Sequence, residues 1–164
     1  MQKPSPYAPP TSHDAPSTNP DADIADAMTP VSAKAGGGVV LFAGVNFSLM
    51  ALQTLALVTM RGVWIVMPIL LLVVGAALMV AGVALFRARG WSPLLALIVS
   101  GVAALLSLTW LVVTVLSGIF GFFALGAPAL ALAGVVVGAV NMAPVRRVSE
   151  ARMRLAASGL HFGL

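Results

Sequence analysis

Long apolar runs, interrupted only by arginines, dominate the chain after its first 35 residues. The runs 38–60 and 63–86 contain 23 and 24 residues without a charge. At about 1.5 Å per helical residue, each run is longer than the ~30 Å hydrocarbon core of a membrane. Because only Arg61 and Gly62 separate the two runs, the pattern predicts two membrane-spanning helices joined by a tight turn.

A second apolar region has the length of two further spans. Between Arg89 and Arg146 lie 56 consecutive uncharged residues, interrupted by the turn-forming segment 117–121 with its serine and two glycines. The predicted third and fourth spans are therefore 93–116 and 122–143. Lipid cannot satisfy the backbone of open strands, and the runs lack the alternation typical of β-barrels. We therefore expect an all-α integral membrane protein with four transmembrane helices in a bundle.

The third span begins with a local helix-start signal, Trp91-Ser92-Pro93. Trp91 is an aromatic residue of the kind that lies at membrane interfaces, and Pro93 suits the first turn of a helix. Ser92 has the side chain of an N-cap residue, whose hydroxyl accepts a hydrogen bond from the first helical turn. The sequence therefore predicts Ser92 as the N-cap of this helix.

Composition excludes a water-soluble globular protein. Apolar residues make up 60% of the chain, charged residues 9%, and the mean hydropathy is +1.03, whereas soluble domains have about 45–50% apolar and about 25% charged residues. The chain has no Cys, which excludes disulfides, thiolate metal ligands and a cysteine nucleophile. Seven Arg against two Lys, with abundant Ala, Val, Leu and Gly, is typical of a GC-rich bacterial gene.

Basic residues in the short connections predict the orientation. Four spans place both termini and the second connection on one side of the membrane. Close to the predicted spans, that side carries seven basic residues, namely Lys34, Arg87, Arg89, Arg146, Arg147, Arg152 and Arg154, whereas the opposite side carries only Arg61. The positive-inside rule then predicts cytoplasmic N and C termini in the bacterial inner membrane.

Residues 1–35 form a proline-rich, mildly acidic segment with seven of the eleven prolines and a net charge of −2. This composition predicts a disordered cytoplasmic tail and lacks the apolar stretch of a signal peptide. Two interpretations stay open: residues 4–10 dock in an aromatic groove of a cytoplasmic partner, or the tail binds nothing. Asp21, Asp23 and Asp26 lack the glycine and glutamate of a calcium loop, so no metal site is expected.

Residues 144–164 form a basic C-terminal segment in which 144–157 predict a short amphipathic helix. Its wheel places Arg146, Arg147, Glu150 and Arg154 on one face and Val145, Val148, Leu155 and Ala156 on the other, with Arg152 inside the apolar face. Two interpretations stay open. Either the helix lies against anionic lipid, or its charges only end the last span and determine the membrane topology. The candidate headgroup-binding residues are Arg87, Arg89, Arg146, Arg147, Arg152 and Arg154. Nucleic acid is not expected as a partner, because membrane lipids are the nearer anionic surface.

The predicted spans contain no Asp, Glu, Lys or His. This excludes the usual residues of intramembrane proton relays, carboxylate-bound ions, Schiff bases and imidazole-ligated haem. A serine nucleophile would also have no neighbouring base within the spans. We therefore expect no catalytic residue, no cofactor and no metal, and hence a protein that is not an enzyme.

Small residues recur at helix-packing intervals in three of the spans. Gly75 and Gly82 are seven apart in the second span, as are Gly44 and Ala51 in the first. This spacing keeps residues on one side of a left-handed helix pair. In the fourth span Gly134 and Gly138 are four apart, a spacing that allows close right-handed packing. All six residues are predicted helix-contact positions.

Mildly polar residues follow the same intervals in the first and third spans. Ser100, Ser107 and Thr114 are seven apart, as are Asn46 and Gln53. Two interpretations of the hydroxyl-bearing residues stay open: a helix-contact face or a hydroxyl-lined pathway through the membrane. The two amides are predicted to form interhelical hydrogen bonds, which contribute only about 0.6–2 kcal/mol and therefore serve packing specificity.

No family signature emerges from these features. The expected function is that of a non-catalytic accessory or scaffold subunit of a larger bacterial membrane complex. Such a subunit packs against other transmembrane subunits and recruits a partner through its tail. The alternative is an oligomeric pore or small transporter, because four spans cannot enclose both a conduit and a packed core within one chain.

Overall fold

Four α-helices follow from the four apolar runs. The computed structural model describes residues 24–25, 27–61, 65–117 and 122–157. The helices are α1 (Val31–Arg61), α2 (Val66–Phe86), α3 (Ser92–Ser117) and α4 (Phe122–Ala157). Each contains a segment long and apolar enough to cross a membrane. The predicted all-helical architecture with four candidate spans is therefore confirmed, and it suggests a multi-pass membrane protein.

The first helix begins earlier than the predicted span 38–60. Its first turn follows Pro30, whose carbonyl oxygen accepts hydrogen bonds from the backbone N–H groups of Ala33 and Lys34, at 3.0 and 3.2 Å. The glycines at 36–38 therefore lie inside α1 although glycine disfavours helices by about 1 kcal/mol. Close contacts of Gly36 and Gly37 with other helices provide the physical reason for this extension.

The fourth helix continues through Pro144 to Ala157, which corrects the prediction of a separate C-terminal helix. A proline inside a helix removes one backbone hydrogen bond and tends to kink or break the helix. Here Val145 and Val148, directly after Pro144, are buried in the core. Packing of this segment against the rest of the chain keeps it helical across the proline.

The helices form a ring in which sequence neighbours lie side by side. α1 packs most extensively against α2, and α3 packs similarly against α4. α1 also packs against α4, and the smaller α2 and α3 interface completes the ring. The largest fully buried apolar side chains are Val40, Phe47, Met50, Leu71, Leu78, Leu85 and Val145.

A tight turn joins α2 to α3. The backbone N–H of Arg89 donates to the Ala84 carbonyl at 3.2 Å, and the N–H of Ala88 donates to the Leu85 carbonyl at 2.9 Å. Ala88 has a positive φ of 47°, so the turn has the hydrogen-bond pattern of a Schellman motif. The Ser92 hydroxyl donates to the Arg89 carbonyl at 2.6 Å. It therefore ties α3 to the turn rather than accepting as the predicted N-cap.

Candidate functional site

Facing glycines bring the backbones of α1 and α2 into contact. A Cβ atom on Gly44 would lie 2.8 Å from the carbonyl oxygen of Gly75, and one on Gly82 would lie 2.9 Å from that of Gly37. Any side chain at these positions therefore collides with backbone. Gly37 was not among the predicted contact residues, although its seven-residue spacing from Gly44 is the same signal. Ala51, one heptad beyond Gly44, is fully buried.

The two glycines of α4 pack against α3 of the same chain. A Cβ on Gly138 would lie 2.7 Å from the backbone nitrogen of Leu97, and one on Gly134 would collide with the Ser100 hydroxyl. The small residues of α4 therefore contact a helix of the same chain. Substitution of Gly138 would separate α3 from α4, whereas substitution of Gly134 would displace the Ser100 side chain.

The hydroxyl-bearing stripe of α3 faces the interior of the bundle. Ser100, Ser107 and Thr114 are 0%, 1% and 7% exposed. Ser107 donates to the Ala104 carbonyl at 3.0 Å and Thr114 donates to the Leu111 carbonyl at 2.8 Å. The two hydroxyls bond within their own helix, and the stripe is closed to water.

The amide side chains lie at partly or fully buried positions. Asn46 and Gln53 are half-buried on α1, and the Asn46 Oδ1 atom has no hydrogen-bond partner among the described residues. The buried Asn141 donates to the Val137 carbonyl of its own helix at 2.9 Å. A Cβ on Gly36 would lie 3.1 Å from Asn141 Nδ2, so α1 and α4 meet closely at this level.

Arg152 connects three parts of the chain at the end of the bundle that holds the α2–α3 turn. Its Nε atom donates to the Ala27 carbonyl at 3.1 Å and Nη2 donates to the Thr29 hydroxyl at 3.1 Å. Nη1 donates to the Arg87 carbonyl at 2.9 Å. The guanidinium was predicted to reach lipid headgroups; protein acceptors take three of its five N–H donors.

The apolar face of the C-terminal part of α4 is covered by the chain itself. Val145 and Val148 belong to the main core, whereas Ala151 and Leu155 pack with Ala27 and Ile24 in a smaller cluster. Burial of Val145, Val148 and Leu155 corrects the interpretation in which the whole predicted apolar face lies on lipid, whereas Ala156 of that face is exposed. Ile24 and Ala27, which the composition had assigned to the tail, cover Ala151 and Leu155.

The remaining basic residues of this end are exposed. On α4, Arg146 pairs with Glu150 at 3.1 Å, and Arg147 and Arg154 are exposed. Arg87 and Arg89 are exposed in the turn. Of these five side chains, Arg146 is engaged by Glu150, and binding of anionic headgroups by the set stays a prediction.

Two adjoining cavities lie around the α2–α3 turn. The larger, about 1050 Å³, is called the basic basin and is lined by cations from three regions together with apolar residues; the cations are Lys34, Arg87, Arg89 and Arg152. The smaller, about 290 Å³, is called the apolar groove and is lined by Met79, Val80, Val83 and Ala84 of α2. Arg87, Arg89 and Trp91 line both cavities, so the two lie next to each other at these residues.

No protein-family model matches the chain, and comparisons with curated proteins and with solved structures give no significant match. Function is therefore inferred from the chain's own packing, burial and charge. The packed interior and the basic end provide the two sets of observations.

Proposed function

We propose that this protein is a non-catalytic, multi-pass subunit of the bacterial inner membrane. It acts as an accessory or scaffold component of a larger membrane complex, with both termini in the cytoplasm. The charge distribution between the two ends of the apolar runs supports this orientation. Recruitment of a cytoplasmic partner by the proline-rich segment 4–10, which lies outside the described residues, stays a prediction.

Burial of the hydroxyl stripe is the observation that carries this proposal. Ser100, Ser107 and Thr114 are the residues that would line a pathway in α3, and all three are packed against the interior of the bundle. A conduit needs such groups in contact with water or with the transported species. Their burial supports a packing role and disfavours a pathway through the single chain.

The outer surface of α4 supports a docking role. Ala139 and Ala143 are exposed and four residues apart, and they alternate with the exposed Val136 and Val140. Small residues at this spacing allow close approach of another transmembrane helix. Since Gly134 and Gly138 are used inside the chain, this exposed face is where a partner subunit's helix would pack.

Cysteine labelling tests the packing role directly, because the native chain contains no Cys. Ser100→Cys, Ser107→Cys and Thr114→Cys should each resist a small membrane-impermeant thiol reagent. A Cys in place of Gly62, in the predicted external turn, should react and serve as the control. Reaction at all three α3 positions at rates close to that of the control would favour the oligomeric pore.

Docking through α4 is tested by enlarging its exposed alanines. Purification in mild detergent followed by mass determination should yield a heteromeric complex for the wild-type chain. Ala139→Leu combined with Ala143→Leu should weaken that complex by about 1–3 kcal/mol, the usual cost of overpacking. Val136→Leu combined with Val140→Leu is the matched control and should change it less. A symmetric homo-oligomer with measurable ion flux would contradict the accessory role.

A further inference from the structure

We propose that the basic basin and the apolar groove form one binding site for an anionic glycerophospholipid. The lipid phosphate would lie in the basin and one acyl chain in the groove. This inference rests on the membrane placement proposed above, but not on the accessory role. It assigns to the α2–α3 turn a ligand that the general attraction of basic residues to membranes does not specify.

The charge of the basin matches a phosphate. Its four cations come from α1, from the α2–α3 turn and from α4, and none of the described residues that line it is acidic. Within the described part of the chain, the side chains of Arg87 and Arg89 form no hydrogen bond or ion pair, so both are available to a ligand. Charge-assisted hydrogen bonds from arginine to phosphate are among the strongest polar contacts in proteins.

Arg152 supports the geometry of the basin and contributes one of its four positive charges. An arginine side chain has five N–H donors, and Arg152 uses three of them for Ala27, Thr29 and the Arg87 carbonyl. The bond to the Arg87 carbonyl positions the turn from which the Arg87 and Arg89 side chains project. Because the acceptors are two backbone carbonyls and the Thr29 hydroxyl, these contacts do not depend on the side chains of Arg87 and Arg89.

The apolar groove accounts for the rest of the ligand. The groove is walled by Met79, Val80 and Val83 of α2 and shares the turn residues Arg87 and Arg89 with the basin. Trp91 lines both cavities, and tryptophan is favoured where apolar and polar regions of a membrane meet. A ligand that fills both cavities must carry a phosphate and an apolar chain on one molecule.

Two other occupants would use the basin alone. Free inorganic phosphate has the charge but nothing to place in the groove. The second alternative is the chain's own acidic segment, because Asp21, Asp23 and Asp26 lie close in sequence to residues that line the basin. This segment has no acyl chain to place in the groove. Dependence of binding on the groove therefore separates the lipid from both.

Quenching of Trp91 fluorescence by brominated acyl chains provides the test. Trp64→Phe with Trp110→Phe leaves Trp91 as the only tryptophan of the chain. The variant is placed in phosphatidylcholine nanodiscs in which a minor fraction of the lipid is brominated phosphatidylglycerol or, separately, brominated phosphatidylcholine. We expect phosphatidylglycerol to quench Trp91 more strongly at equal fraction. Equal quenching by the two lipids would overturn the proposal.

Charge variants locate the site. Arg87→Gln with Arg89→Gln should reduce the preference for phosphatidylglycerol by about fivefold per arginine, which corresponds to the usual contribution of a basic residue near anionic lipid. Arg147→Gln with Arg154→Gln removes the same charge from exposed positions outside the basin and should retain the preference. An equal loss of the preference in both double variants would indicate general attraction between basic residues and anionic lipid. That result would refute a specific lipid site.

Groove variants and competitors identify the occupant. Val83→Phe should weaken the preference, whereas Val73→Phe, at an exposed position of α2 outside the groove, should not. Added inorganic phosphate that abolishes the preference, with Val83→Phe without effect, would assign the basin to free phosphate. A preference that appears only after Asp21, Asp23 and Asp26 are changed to Asn would assign it to the acidic segment. Either result overturns the lipid site.

The membrane placement has its own readout in the same nanodiscs. A chain with Trp64→Phe and Trp91→Phe retains only Trp110, which is half-buried on α3. Brominated phosphatidylcholine should quench Trp110 if the helices lie in the bilayer. Absence of Trp110 quenching would refute the membrane placement. Quenching of Trp110, together with equal quenching of Trp91 by the two brominated lipids, would refute the lipid site alone.

Discussion

A single methyl group at Gly44 should separate α1 from α2 and lower the stability of the bundle. In Gly44→Ala the new Cβ would lie 2.8 Å from the Gly75 carbonyl oxygen and 2.9 Å from the Met79 backbone nitrogen. Both atoms belong to the α2 backbone and cannot rotate away. The helices must therefore move apart by about 0.6 Å to restore an ordinary contact of 3.4 Å.

Two opposing terms set the size of this effect. Overpacking of a well-packed interface costs about 1–3 kcal/mol, whereas replacing glycine by alanine within a helix contributes about 1 kcal/mol of stability. Gly101→Ala isolates the second term, because a Cβ at Gly101 would meet no atom within 4 Å. The two variants carry the same chemical change and should differ by about 1–3 kcal/mol in the free energy of unfolding.

Thermal unfolding in detergent, followed by far-UV circular dichroism, measures this difference. Gly101→Ala should unfold above the wild-type chain. At roughly 4 °C per kcal/mol for a chain of this size, Gly44→Ala should unfold about 4–12 °C below Gly101→Ala. A Tm for Gly44→Ala equal to or above that of Gly101→Ala would refute the idea that the backbones are in contact here.

A double-mutant cycle tests whether the glycine pairs act on one rigid interface. Gly82→Ala should be destabilising for the same reason, because its Cβ would lie 2.8 Å from the Leu41 backbone nitrogen. Once one substitution has moved the helices apart, the second finds more space. The combined Gly44→Ala and Gly82→Ala chain should therefore lose less stability than the sum of the single losses. Strict additivity would indicate that the two contacts adjust independently.

Two further predictions concern topology and the contacts of Arg152. A reporter that is active only in the periplasm should be silent when fused after Leu164 and active when inserted between Arg61 and Gly62; the reverse pattern would contradict the proposed orientation. Arg152→Gln should cost about 1–2 kcal/mol, because the Ala27 and Arg87 carbonyls lose charged donors at partly exposed positions, and should speed amide hydrogen exchange in 27–29. Arg154→Gln is the control; equal exchange in both variants would refute the role of Arg152.

Much of the helical architecture was predictable because apolar run length is a local property. A run of 23 or 24 uncharged residues is long enough to span a membrane whatever its neighbours are. The seven-residue interval of Gly75 and Gly82 likewise records a shared helix face without any knowledge of the partner helix. The sequence did not reveal that Gly37 faces Gly82, because two spacings on separate helices do not set their relative register.

The boundaries of α1 and α4, and the contacts around the α2–α3 turn, depend on residues that are distant in sequence. Glycines at 36–38 and Pro144 are weak helix formers, and local propensity placed helix boundaries beside them. Tertiary packing of those segments outweighs that propensity, so α1 begins at Val31 and α4 continues to Ala157.

By itself, the sequence determined the number of candidate spans, the distribution of charge and the absence of titratable groups from the apolar runs. The tertiary structure alone decided which faces meet and where the arginines point. Arg152 shows the difference most clearly. A helical wheel places it in an apolar face, from which lipid headgroups are the expected partner. Its acceptors at Ala27 and Thr29 are 125 and 123 residues away in the chain, so only folding brings them to the guanidinium.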